Sequence, residues 1–139
     1  MRTLIRNGRI IDPVNKRDEV GDLSIVDGRV SESPNEKKEK VETIDATGLI
    51  VSPGLIDLHV HFREPGFGWK ETIDSGARAA AAGGFTTVVC MPNTSPVADS
   101  PSTSAWIKDR ADTVAIVIVL LSGAICKNLA GAAIARDGS

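Results

Sequence analysis

Tyrosine is missing from this chain of 139 residues, and three phenylalanines with two tryptophans are all its aromatic side chains. So few rings offer little to stack on bases, and a net charge of -2 provides no basic surface for a phosphate backbone. Nucleic acid is not an expected partner. Long apolar runs are missing too: the longest, Val114 to Leu121, falls far short of the roughly 18 to 20 residues that cross a bilayer. No membrane span is expected. The opening Met1-Arg2-Thr3-Leu4-Ile5 gives way at once to Arg6-Asn7-Gly8-Arg9, without the apolar core of a secretory signal, so the cytoplasm is the expected compartment. Cys90 and Cys126 are too few for a disulfide framework and lie in apolar segments, where a free thiol behaves as a small hydrophobe. A phosphate-cradling glycine loop is lacking as well, since Gly83-Gly84 follows a helical stretch instead of opening one.

What is present is a globular balance, 42% hydrophobic and 24% charged, organised in two parts. Residues 3 to 11 and 20 to 30 are β-rich and contain the turn dipeptides Asn7-Gly8 and Asp27-Gly28, which predicts hairpins in a small antiparallel sheet. Ser31 to Lys40 loses its apolar residues and reads as a solvated charged loop, and Val41 to Val51 resumes strand character up to a turn at Thr47-Gly48. Residues 1–52 are therefore expected to form a small β-rich, sandwich-like domain.

From Pro53 onward the pattern alternates strand and helix, the signature of βαβ units on a parallel sheet. A strand is expected over Leu55 to Phe62, a helix from about Lys70 to Ala82 stopped by Gly83-Gly84, and a second strand from Phe85 to Met91. A second helix should follow Ser100-Pro101 and turn Trp106 and Ile107 toward the sheet, with Val114 to Leu121 as a third, buried strand. A (β/α)8 barrel takes about 250 residues, so residues 53–139 can supply only its first two βα units and a third strand. The fold class is α/β, an incomplete barrel whose outer strands present unpaired edges, and self-association is expected.

Only two histidines occur, and both fall within Asp57-Leu58-His59-Val60-His61-Phe62-Arg63. On an extended strand side chains alternate between faces, so Asp57, His59, His61 and Arg63 share one side while Ile56, Leu58, Val60 and Phe62 share the other. Imidazoles two residues apart have Cα atoms about 6.5 to 7 Å apart, close enough to converge on one metal ion. A His-x-His pair on a wet strand needs no ligand. The flanks argue for more: a nearly continuous apolar approach, Leu49 to Ile56, precedes it, and Glu64-Pro65-Gly66 ends the strand at the C-terminal rim, where α/β architectures build their sites.

The stretch Asp57 to Gly66, together with Ala80-Ala81-Ala82-Gly83-Gly84-Phe85-Thr86-Thr87-Val88-Val89-Cys90-Met91-Pro92-Asn93-Thr94, resembles the two signature blocks of the cyclic amidohydrolases, dihydroorotases of the single-chain bacterial type in particular. The resemblance runs over nearly the whole chain but over only the N-terminal third or so of a family member. It implies a metal-dependent hydrolase barrel, with zinc as cofactor, one or two ions in the complete protein, and His59 and His61 as ligands. Arg63 would grip a substrate carboxylate through its planar guanidinium, Asn93 would bind substrate at the same rim, and Asp57 would orient a histidine from behind. Remaining ligands and the general base are expected beyond Ser139, and Glu64 receives no role. The implied reaction interconverts dihydroorotate and N-carbamoyl-L-aspartate in pyrimidine synthesis. An allantoinase or hydantoinase is the alternative within the enzymes, and a non-catalytic companion of aspartate carbamoyltransferase the alternative outside them. The complete protein's implied partners are a second copy or that transcarbamoylase. With two histidines only, this chain by itself should be inactive.

Overall fold

The structure is a computed structural model and describes residues 2–31 and 41–135. By contact density the chain divides into two compact units, Met1–Pro53 and Gly54–Ser139.

The first unit is a five-stranded sheet built around β1 (Arg2–Asp12). β2 (Arg17–Val26) pairs antiparallel with β1 through a turn at residues 13–16, and β3 (Arg29–Ser31) pairs antiparallel with β2. Asp27 and Gly28 both have positive φ, 49° and 77°, the two left-handed positions that a tight hairpin demands. Asn7-Gly8 does not turn the chain as expected. It lies inside β1, where Asn7 (φ 60°) produces a register shift between Ile5 and Gly8, and a β-bulge uses the same left-handed chemistry as a turn. β4 (Val41–Asp45) and β5 (Ile50–Val51) then join β1 in parallel, so the sheet is mixed, not antiparallel. Among the described residues this unit is a single sheet. The charged loop expected over Ser31 to Lys40 lies outside the described residues except for Ser31, which closes β3.

The second unit consists of β6 (Leu55–Val60), α1 (Ile73–Ala82), β7 (Phe85–Cys90), α2 (Pro101–Val114) and β8 (Ile118–Leu121). Its strands are parallel in the order β6-β7-β8, two successive βαβ units. Both helices contribute to one core, Phe62, Ile73, Val88, Cys90, Ala98, Ile107 and Ala111. Fully burying side chains the size of Ile73 and Ile107 contributes about 1.5–3 kcal/mol each. Alternation puts Val60, Val88, Cys90, Val119 and Leu121 on this helix-covered face.

Thr72 caps α1: its Oγ1 accepts from the Ser75 amide (3.0 Å) while the Ser75 Oγ accepts from the Thr72 amide (2.9 Å). The reciprocal cap sets the helix start at Ile73, later than Lys70. Gly84, with φ +82°, provides the left-handed exit. α2 begins on a Ser100 cap with Pro101 in its first turn. Ile107 and Ala111, one turn apart, face the sheet, and this register turns Trp106 outward, 46% exposed, contrary to expectation. The run from Val114 to Leu121 also divides: Val114 ends α2, and the strand begins only at Ile118. On β8 the face opposite the helices is open, with Ile118 and Leu120 at 60% and 50% exposure, so this strand is half-covered instead of buried. Three strands cannot close a barrel that needs eight.

Candidate functional site

β6 ends at Val60, but the chain continues extended far enough for His59 and His61 to project together at the C-terminal rim. Their Nε2 atoms are 3.1 Å apart, with ring centroids 4.9 Å apart and planes at 65°. Both rings are exposed, on the side of the strand away from the helices, while Phe62 beside them turns into the core at 5% exposure. Phe62 is thus the anchor that fixes the direction of its two neighbours. Its ring edge lies against α1 at Gly76: a Cβ there would stand 2.6 Å from Phe62 Cδ1 and closer still to Cε1. Only a glycine lets helix and ring approach so closely.

Asn93, from the loop after β7, reaches the pair from the side. Its Oδ1 lies 2.9 Å from His61 Nδ1. Two contacts bring that loop to this place. The Ser95 amide donates to the Pro65 carbonyl (3.0 Å), and Gly66, at φ +96°, lies so close to the Ser95 carbonyl that no side chain could be accommodated. The loop is braced internally as well, since the buried Thr94 donates its hydroxyl to the Pro96 carbonyl (2.8 Å).

Of the other expected residues, Arg63 is half-buried on the same rim, and among the described residues its guanidinium has no ion-pair or hydrogen-bond partner. Asp57 meets His59 through the main chain: its Oδ1 accepts from the His59 amide at 2.9 Å, which fixes the backbone that carries the ring. Glu64, expected to be idle, has a structural task. Its Oε2 accepts from the Ile73 amide (2.8 Å) and lies 3.8 Å from Arg110 Nε, so one carboxylate ties the exit of β6 to the start of α1 and the side of α2. No local capping signal could reveal this, because Glu64 precedes the helix by nine residues. Cys90, fully buried beneath the rim, has its thiol pushed above the ordinary value of 9.0, chiefly by burial. It is packing material, not a nucleophile.

Two nitrogens bound to one tetrahedral zinc at about 2.0–2.1 Å stand about 3.3 Å apart, so the observed 3.1 Å suits a shared cation. Among the described residues no third His, Cys, Asp or Glu converges on the pair. The donor set therefore fits a metal ion in kind and spacing but supplies two ligands where a catalytic site has about three from protein.

A family model described as Dihydro-orotase-like matches residues 48–134. The dihydroorotase of Solibacter usitatus (strain Ellin6076) is 54% identical over 140 residues, which cover 100% of this chain and 33% of that protein. The dihydroorotase of Syntrophotalea carbinolica (strain DSM 2380 / NBRC 103641 / GraBd1) is 49% identical over 99% of this chain and 33% of its own length. Among solved structures, the L-hydantoinase (dihydropyrimidinase) from Arthrobacter aurescens superposes with a TM-score of 0.74 at 26% identity, covering 91% of this chain and 29% of that one. The chain spans about a third of the length of the curated relatives it matches. With residues 48–134 matched by the family model and relatives about half identical along its whole length, the chain belongs to the dihydro-orotase-like family.

Proposed function

We propose that the complete protein is a zinc-dependent cyclic amidohydrolase of the cytoplasm that interconverts dihydroorotate and N-carbamoyl-L-aspartate. The observation that carries this reading is the convergence of His59 and His61, with Nε2 atoms 3.1 Å apart, at the rim of a parallel sheet. The relatives' names supply the substrate.

Water near neutral pH is too weak a nucleophile to open a cyclic amide, and a divalent metal ion supplies the remedy when bound, by acidifying water and polarising the carbonyl. His59 and His61 would hold that ion from β6. Arg63, whose planar guanidinium has no ion partner among the described residues, is suited to take the ring's carboxylate with two parallel hydrogen bonds. Asn93 offers its amide Nδ2 as a donor beside it, since Oδ1 is engaged by His61. Asp57 contributes by fixing the His59 main chain and thereby the spacing of the pair. Further ligands and the proton-transfer group would come from outside this chain, which alone should turn over nothing.

The likeness to a hydantoinase structure supports one rival, a hydrolase of uncharged cyclic ureides. Assays of the full-length protein on dihydroorotate, N-carbamoyl-L-aspartate, hydantoin and allantoin separate them. Turnover of the first two, lost in Arg63→Met, supports the proposal. Preference for hydantoin or allantoin, with Arg63→Met unaffected, overturns it, as does unchanged metal content in His59→Ala and His61→Ala.

A further inference from the structure

We infer that Asn93 is a positioning residue for His61: its carbonyl oxygen holds the His61 proton on Nδ1 and so leaves the Nε2 lone pair free to face His59 Nε2 and a metal ion between them. This deepens the metal reading of the histidine pair and rests on it.

For two neutral rings the geometry leaves one proton arrangement. Neutral imidazole carries a proton on one nitrogen only. His61 has two polar neighbours, Asn93 Oδ1 at 2.9 Å from Nδ1 and His59 Nε2 at 3.1 Å from Nε2. An amide oxygen accepts and cannot donate, so the Nδ1 contact is a hydrogen bond only if Nδ1 carries the hydrogen. His61 Nε2 is then bare, and the short contact with His59 requires that His59 Nε2 donate. Wherever the two neutral rings meet with no cation between them they are therefore opposite tautomers, His61 with its proton on Nδ1 and His59 with its proton on Nε2. A shared cation needs both Nε2 lone pairs, so binding must move the proton of His59 alone. His61 is already set, because a hydrogen bond at one ring nitrogen fixes the tautomer that the other presents.

Asn93 is well placed for such a task. Its loop is locked to the loop after β6 by the Ser95 to Pro65 hydrogen bond and the close approach of Gly66. Asn93 Nδ2 has no partner among the described residues, so the amide can hold His61 through oxygen and meet a substrate through nitrogen at the same time.

The test uses this chain, whose two histidines give two ring systems in 15N-histidine-labelled protein, measured by magic-angle-spinning NMR so that self-association does no harm. In the neutral rings, which 15N shifts distinguish from imidazolium, His61 should show a protonated Nδ1 and a bare Nε2, and His59 the reverse. Zn2+ should change the pattern of His59 only. Asn93→Ala should give His61 a mixture of tautomers and weaken Zn2+ binding by about 10- to 100-fold, whereas Asn93→Asp, which keeps an acceptor at the same place, should restore the Nδ1–H form. The same variants in the full-length protein, read by Zn2+ affinity, guard against a folding defect of the shorter chain. A His61 protonated on Nε2 in the parent, or Zn2+ affinity equal in parent and Asn93→Ala, overturns the inference and leaves the proposed function standing. The expected tautomers with no Zn2+ binding by the full-length protein sink the proposed function and leave the positioning by Asn93 intact.

Discussion

Replacing Gly76 by alanine tests how far the packing beneath the rim controls the rim itself. Gly76 lies inside α1, where alanine is favoured over glycine by about 1 kcal/mol on helix propensity alone. Against this, the new Cβ would stand 2.6 Å from Phe62 Cδ1 and nearer to Cε1, and the ring, 5% exposed, is held within the core. Overpacking of this kind costs about 1–3 kcal/mol, so Gly76→Ala should lose on the order of 1 kcal/mol net. Phe62→Leu removes the obstructing ring edge, and in that background the propensity gain should return. The two changes should couple by about 1 kcal/mol or more, as residues in contact do. Urea denaturation at low protein concentration, followed by tryptophan fluorescence, reads the right unit, because Trp69 and Trp106 both lie in it. Since Phe62 stands between His61 and Arg63 in the chain, Gly76→Ala should also weaken metal binding at the rim. A Gly76→Ala variant more stable than its parent by the full helix increment, equally so with and without the Phe62→Leu change, would refute the steric reasoning.

Glu64→Ala should destabilise the second unit by about 1–2 kcal/mol, the cost of an unmet helix-start amide plus a lost favourable charge, while Glu64→Gln should cost less because it keeps an acceptor; thermal melts decide. Iodoacetamide should label Cys126 and spare the fully buried Cys90 until the chain is unfolded, as peptide mass mapping would reveal. Because burial raises the Cys90 pKa, the native state holds the thiol proton more tightly than the unfolded one, so its stabilising contribution is present below pH 9.0 and is lost as pH climbs through the folded value; Cys90→Ala should flatten that alkaline decline in stability. Light scattering should show self-association of the chain, relieved when Ile118 or Leu120 on the open face is changed to lysine; a monomer with a sharp, reversible melt would contradict this.

The second unit was legible from sequence because its signals are local. Thr72 and Ser75, Ser100 with Pro101, and Gly84 each mark a helix boundary with their own backbone chemistry. Histidines two apart on a strand point the same way wherever the strand lies. Misreadings arose where one local signal serves two structures. Asn7-Gly8 favours left-handed backbone, which suits a bulge as well as a turn. The apolar run from Val114 to Leu121 is continuous across a helix end, a connection and a strand, and hydrophobicity without periodicity cannot place those boundaries. The partners of Glu64 and Asp57 were not legible for another reason. A carboxylate finds its partner in three dimensions, and both partners are main-chain amides, which leave no trace in side-chain pattern.

The arrangement of the rim shows why the pair can be shaped by so small a part of a barrel. Fixing the backbone of a residue costs about 1–2 kcal/mol in conformational entropy, and a site assembled only on binding would bear that cost from its affinity. Here the ordering is completed on folding. Phe62 drives the end of β6 into the core, Glu64 fastens the next turn to α1, and Ser95 with Gly66 draws the loop of β7 over the loop of β6. These contacts join the end of β6 to α1, to α2 and to the loop after β7, and together they set His59, His61 and Asn93 in one line of contacts, 3.1 and 2.9 Å apart. On the proposed metal reading, the geometry of the pair is fixed locally while the number of ligands is not, since only two histidines exist in the sequence. In the proposed complete protein, further strands would complete the coordination and cover the open face that Ile118 and Leu120 present, rather than shape the pair itself.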